Sequence, residues 1–176
     1  GSDGVATYFQ LDGSLADGSN YYTKWPDNSI ASFGSAPDLL IYHDGFNSRI
    51  RQLTTSDLII ENLGDDKDII FKCDDGSGGV QTYLTIDGSL EAVTVPDTIY
   101  LAAGSGLDLS LVHNGTTSTI QNNTGDLYIK NTANDSDIIF QSDDGSGGLA
   151  TYFFLDGGSV ATQFNKNTLH PDGVKA

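Results

Sequence analysis

The chain has 176 residues, with 24 acids against 8 bases and a formal net charge of −16. Only Glu61 and Glu91 are glutamates, and 21 Gly with no Met beside so many Asp favour turns over helix interiors, which argues against a helical protein. The negative charge disfavours nucleic-acid binding, no apolar run nears the ~18 residues of a membrane helix, and the single Cys73 excludes an internal disulfide framework.

Taken in chain order, the start at Gly1-Ser2, without Met, reads as an end cut from a longer protein. A first block, Gly4-Val5-Ala6-Thr7-Tyr8-Phe9-Gln10-Leu11-Asp12-Gly13, returns from Gly79 and from Gly148, the starts being 75 and 69 residues apart. Phe9/Leu84/Phe153 and Leu11/Ile86/Leu155 stay apolar while Gln10, Thr85 and Phe154 vary. A constant inner face and a variable outer face predict a half-buried strand. Residues 17–37 read as a linker whose Tyr21, Tyr22 and Trp25 can stack on a sugar or cover the edge of a stack. The next copy has Val95 in place of Trp25, so a sugar site there is no property of the repeat.

Asp38-Leu39-Leu40-Ile41-Tyr42-His43-Asp44-Gly45 predicts a strand and a turn, and returns as Asp108-Leu109-Ser110-Leu111-Val112-His113-Asn114-Gly115 at an offset of 70. His43 and His113 fall in register with Leu39/Ile41 and Leu109/Leu111, and are expected to point inward. Asp57-Leu58-Ile59-Ile60-Glu61 and its copy Asp126-Leu127-Tyr128-Ile129-Lys130 predict a further strand, one face of which keeps Leu and Ile. Asp68-Ile69-Ile70-Phe71 and the loop Asp74-Asp75-Gly76-Ser77-Gly78-Gly79 return as Asp137-Ile138-Ile139-Phe140 and Asp143-Asp144-Gly145-Ser146-Gly147-Gly148 at an offset of 69, one residue having been lost after Arg51. His170-Pro171-Asp172 matches Val95-Pro96-Asp97, and there the last copy stops.

The chain thus contains about two and a half copies of a unit of some 70 residues: 1–37 a partial repeat and linker, 38–107 a full repeat, and 108–176 a second repeat truncated into the next linker. Each copy holds about six short strands, and the fold class is all-β. A strand with one narrow apolar stripe cannot build a core alone, so the strands must stack along an axis. The expected architecture is an elongated trimeric β-prism or β-helix fibre, the alternative being a single-chain β-solenoid.

The candidate metal ligands are His43, His113, Asp74, Asp75, Asp143 and Asp144. Oxygen-rich, glycine-flexible loops can wrap Ca²⁺, although the spacing fits neither the EF-hand nor the nonapeptide calcium repeat; the alternative is a turn whose Asp side chains bond the backbone. Around a three-fold axis, three copies of His43 or His113 would converge and could hold an axial metal ion or an anion. Without that symmetry each is a hydrogen-bonded His closing a strand. No resident cofactor is expected. Cys73 becomes Ser142 in the second copy and reads as an incidental core thiol. Acids that recur with a repeat point away from the unique constellation a glycosidase needs, and no phosphate-binding loop is present.

The strings Asp38–Gly45 with Asn47-Ser48, Asn122–Ile129, and Asp137–Gly148 running on to Leu155-Asp156-Gly157 resemble repeats in virion structural and tail-fibre-like proteins of marine tailed bacteriophages. The likeness covers nearly the whole chain, including Phe33-Gly34-Ser35, and carries no catalytic residues. It implies a structural component of a virion appendage, a homotrimeric tail fibre or shaft linked to host attachment. Its partners would be other virion proteins and a host-surface glycan, and its place the extracellular phage particle, with no nucleic-acid partner, no membrane insertion and no enzymatic activity. The alternative reading is a monomeric calcium- or glycan-binding adhesin module; a glycan-cleaving tailspike ranks third.

Overall fold

A computed structural model describes residues 6–16 and 18–168; His170 and the Pro-Asp match after it lie outside the described residues. All regular structure there is β apart from a short 3-10 turn, with no α-helix, and the strands are short as the alternating pattern requires. They are β1 (Gln10–Asp12), β2 (Tyr22–Lys24), β3 (Ala31–Phe33), β4 (Leu39–His43), β5 (Ser48–Gln52), β6 (Ile69–Asp74) and β7 (Val80–Asp87). After them come β8 (Ala92–Thr94), β9 (Leu101–Ala103), β10 (Leu109–His113), β11 (Ser118–Asn122), β12 (Ile138–Asp143), β13 (Leu149–Asp156) and β14 (Ala161–Phe164).

The sheets are β1-β2, β3-β4-β5, β6-β7-β8, β9-β10-β11 and β12-β13-β14. Every ladder with a recorded register is antiparallel. None closes into a barrel or winds into a solenoid. The chain divides into two compact units, one made of residues up to Ile70 with Ile86–Ala92, the other of Phe71–Thr85 with Val93 onward.

The repeat is legible in the registers. In the first unit Ile41 faces Ile50 on one side and Ala31 on the other; in the second, Leu111 faces Ile120 and Leu101. The linker assigned to 17–37 is not free of structure: it contributes β2, and its β3 is a strand of the β4 sheet.

Three expectations are corrected. Residues 57–61 and 126–130 form no ladder, although their sequences alternate as strands do. The alternation reports a backbone period and says nothing of a partner, and within this chain no neighbouring strand pairs with them. Cys73 is exposed on β6, not a core thiol. Most of the faces read as inner are open: Phe9, Leu11, Ile86 and Leu155 are all exposed. Among the described residues the one buried apolar side chain is Leu40, 8% exposed, and the fully buried Ser110, 1% exposed, holds the same place in β10.

Candidate functional site

The features that recur with the repeat are two sheet faces and two loops. Partners across an antiparallel ladder share a face, and alternate residues along a strand change face. Leu39, Ile41 and His43 therefore lie on one side of the β4 sheet with Ala31, Phe33, Ser48 and Ile50. Leu40, Tyr42, Arg49 and Arg51 lie on the other, where the Arg51 guanidinium donates to Tyr42 Oη at 3.3 Å. The β10 sheet repeats this with Leu109, Leu111, His113, Leu101, Ser118 and Ile120 on one face and Ser110 and Val112 behind.

This arrangement is inverted relative to an ordinary half-buried sheet, whose apolar side is covered. Here Leu40 and Ser110 behind the sheet are buried, whereas Ile50 and Ile120 on the apolar side are 60% and 63% exposed. Covering the exposed remainder of one such Ile is worth about 1–2 kcal/mol, so each face gains by taking a partner.

Each face is concave, enclosing a groove of about 540 Å³ in both sheets. Ile41, His43, Ser48 and Ile50 line the first; Leu111, His113, Ser118 and Ile120 line the second. Trp25 lines the first and Val95 the second, matching their equivalence in the sequence. The Trp25 ring stacks on Phe9 with centroids 5.5 Å apart. A second aromatic stack lies on the β13 sheet, where Phe140, Phe153 and Phe164 stack across three strands at 4.4 and 5.8 Å.

His43 and His113 sit on the expected face, but in a single chain that face looks outward. Each ring has a local partner: His43 Nδ1 lies 3.2 Å from Ser48 Oγ and His113 Nδ1 3.0 Å from Ser118 Oγ. The strand-closing hydrogen bond expected of a His outside a three-fold site fits this geometry, and both rings also line the grooves.

The loop acids act on their own turns. Asp75 Oδ1 accepts from Ser77 N at 2.8 Å, Ser77 Oγ at 2.7 Å and Gly79 N at 3.0 Å. Asp144 does the same with Ser146 N, Ser146 Oγ and Gly148 N at 2.8, 2.7 and 3.0 Å. The serine hydroxyl first, then the two backbone N–H groups, hold both carboxyls below the usual aspartate value. Asp74 and Asp143 accept from Gly76 N and Gly145 N. Gly76, Gly78, Gly145 and Gly147 all take positive φ, from 82° to 90°, which is why the loop needs glycine there. Tyr83 and Tyr152, from the thrice-repeated block, donate across the hairpin to the carbonyls of Asp74 and Asp143 at 2.9 and 2.8 Å.

The β4–β5 loop is tied by an acid as well. Asp44 is drawn down to about 2, first by the Asn47 N–H, then by the Arg49 guanidinium 2.7 Å away, then by the Phe46 N–H. The second copy has Asn114 at this place, accepting from Thr116 N and Thr117 N. The structure does not gather the six candidate ligands into one site: among the described residues no three His, Cys, Asp or Glu side chains cluster.

No protein-family model matches the chain, and no curated protein or solved structure is found similar to it.

Proposed function

We propose that this chain is a structural segment of a phage virion appendage, a tail fibre or shaft, that works as a homotrimer of stacked short strands. The observation that carries this reading is the pair of equivalent apolar sheet faces left open in a single chain. Short strands with one apolar face each need stacked neighbours, and a repeated face asks for a repeated neighbour. The role is mechanical: the repeats set length, other virion proteins anchor the segment, and a glycan on the host surface is the target of the appendage as a whole. A charge of −16 keeps such particles apart from one another and from nucleic acid.

A second reading, a single-chain adhesin module, draws on the stacked Phe9–Trp25 pair, whose partly exposed rings offer a platform to a sugar.

The test is immunogold labelling of tailed particles whose genome encodes this chain, with antibody raised against it. Gold along a tail appendage supports the virion reading. Unlabelled particles beside labelled host cells overturn it in favour of the adhesin.

A further inference from the structure

We infer that the apolar faces of the β4 and β10 sheets are the contact surfaces between copies of this chain, each covered by residues of a further copy. This rests on the reading of the protein as a self-assembling structural segment, and names the surface through which it assembles.

Four observations support a copy of the chain as the occupant. The first is area. The chain exposes 13,979 Å², whereas a compact chain of its mass exposes about 8,300 Å², and two separate bodies of half that mass about 10,000 Å². The excess, on the order of 4,000 Å², is in the range that obligate assemblies bury, roughly 2,000–5,000 Å².

The second is charge. In a chain of net charge −16, the ladders place no Asp, Glu, Lys or Arg on either face; Arg51 lies on the back of the β4 sheet, and Arg49, which also lines the first groove, has its charge matched by Asp44 at 2.7 Å. A neutral apolar face suits an equally neutral apolar partner, and a second copy supplies one without charge repulsion.

The third is repetition. Ile41, Ile50 and His43–Ser48 recur as Leu111, Ile120 and His113–Ser118 around grooves of the same volume. An unrelated partner would have to present the same surface twice, whereas a copy of the chain does so by construction of its sequence.

The fourth is unspent strand sequence. Residues 57–61 and 126–130 alternate as strands yet form no ladder, and Ile59, Ile60, Tyr128 and Ile129 are exposed. Assembly with further copies brings backbone within reach of such segments.

The experiment is size exclusion with light scattering on the full chain, over a range of concentrations, for the wild type and three variants. Ile50→Thr with Ile120→Thr keeps β-branching, and so strand preference, while removing apolar surface; Ile50→Asp with Ile120→Asp adds charge. Phe46→Asp, at a hairpin tip 92% exposed and off both faces, is the control. Far-UV circular dichroism checks that each retains β structure, and the Thr pair keeps the test open should the Asp pair fail to fold.

The expected result is a wild-type mass that is a multiple of 18.7 kDa. The Thr pair then dissociates at a concentration at least tenfold higher than the wild type does, the Asp pair runs as a monomer, and Phe46→Asp behaves as wild type. A multimer unmoved by both face variants overturns this assignment and leaves a self-assembling segment standing, its contacts elsewhere. A wild-type monomer at every concentration overturns both, and would make the faces sites for some other partner.

Discussion

Gly157 N donates to Asp137 Oδ1 at 3.0 Å, a bond that spans twenty residues and pins the β13–β14 turn to the start of β12. Gly88 and Asp68 form its counterpart in the previous copy, at 3.1 Å. The approach is so close that a Cβ at position 157 would stand 2.4 Å from the Ser136 carbonyl oxygen, and one at 88 would stand 2.7 Å from that of Lys67.

Gly157→Ala is therefore expected to force backbone apart and destabilise the fold by about 1–3 kcal/mol. The control is Gly13→Ala, whose added Cβ meets nothing within 4 Å. Urea denaturation of both decides: equal midpoints would show that the β13–β14 turn yields without cost.

The repeat itself suggests a stabilising change. Asn28 and Thr98 hold the same left-handed place, at φ 62° and 67°, and their N–H groups donate to the carbonyls of His43 and His113 at 2.8 and 2.7 Å. Asn tolerates that region and β-branched Thr does not. Thr98→Asn is expected to recover about 1 kcal/mol, read as a higher urea midpoint; a lower one would show that the Thr98 side chain contributes something Asn28 does not.

Acid is expected to loosen the β4–β5 loop in a defined window. The Asp44 carboxyl is lowered from 3.8 to about 2 in the folded chain, so folding favours its ionised form. Its stabilisation is complete above about pH 4 and disappears as pH falls through about 2. Carboxyl carbon chemical shifts of Asp44 should titrate near 2, and Asp44→Asn should make the stability profile less steep between those limits, the lowered Asp75, Asp87, Asp144 and Asp156 carboxyls still contributing to it. A midpoint near 3.8 would remove the Asn47, Arg49 and Phe46 contacts from the solution structure.

The Asp75 and Asp144 carboxylates already take three donors each at one oxygen. Millimolar Ca²⁺ is expected to leave the melting temperature unchanged, and Asp75→Ala with Asp144→Ala to lower it with or without Ca²⁺. A rise on adding Ca²⁺ that the double variant abolishes would restore these loops as a cation site.

Much of this was readable from residues alone because it is local. The Asp-Asp-Gly-Ser-Gly-Gly turns, the shared register of His43 with Ile41, and the Trp25–Val95 equivalence all follow from spacing within a few strands. Partnership is different, because ladder pairing and face covering depend on what lies opposite. Leu58-Ile59-Ile60 looks like any buried strand and has no ladder, and Cys73 beside Phe71 looks like core yet is open. The Asp68–Gly88 and Asp137–Gly157 clamps were hidden for the same reason: nothing in an acidic cluster tells which glycine twenty residues on will need it.

The closure of the 74–79 and 143–148 tips has a practical consequence. Every donor to the Asp75 and Asp144 carboxylates comes from within four residues, so the tip satisfies its own acids, and the Tyr83 or Tyr152 hydroxyl on the first Asp carbonyl ties it to the strand that follows. The hexapeptide Asp-Asp-Gly-Ser-Gly-Gly is in that sense a portable connector: spliced between two antiparallel strands of an unrelated protein, it brings its shape with it.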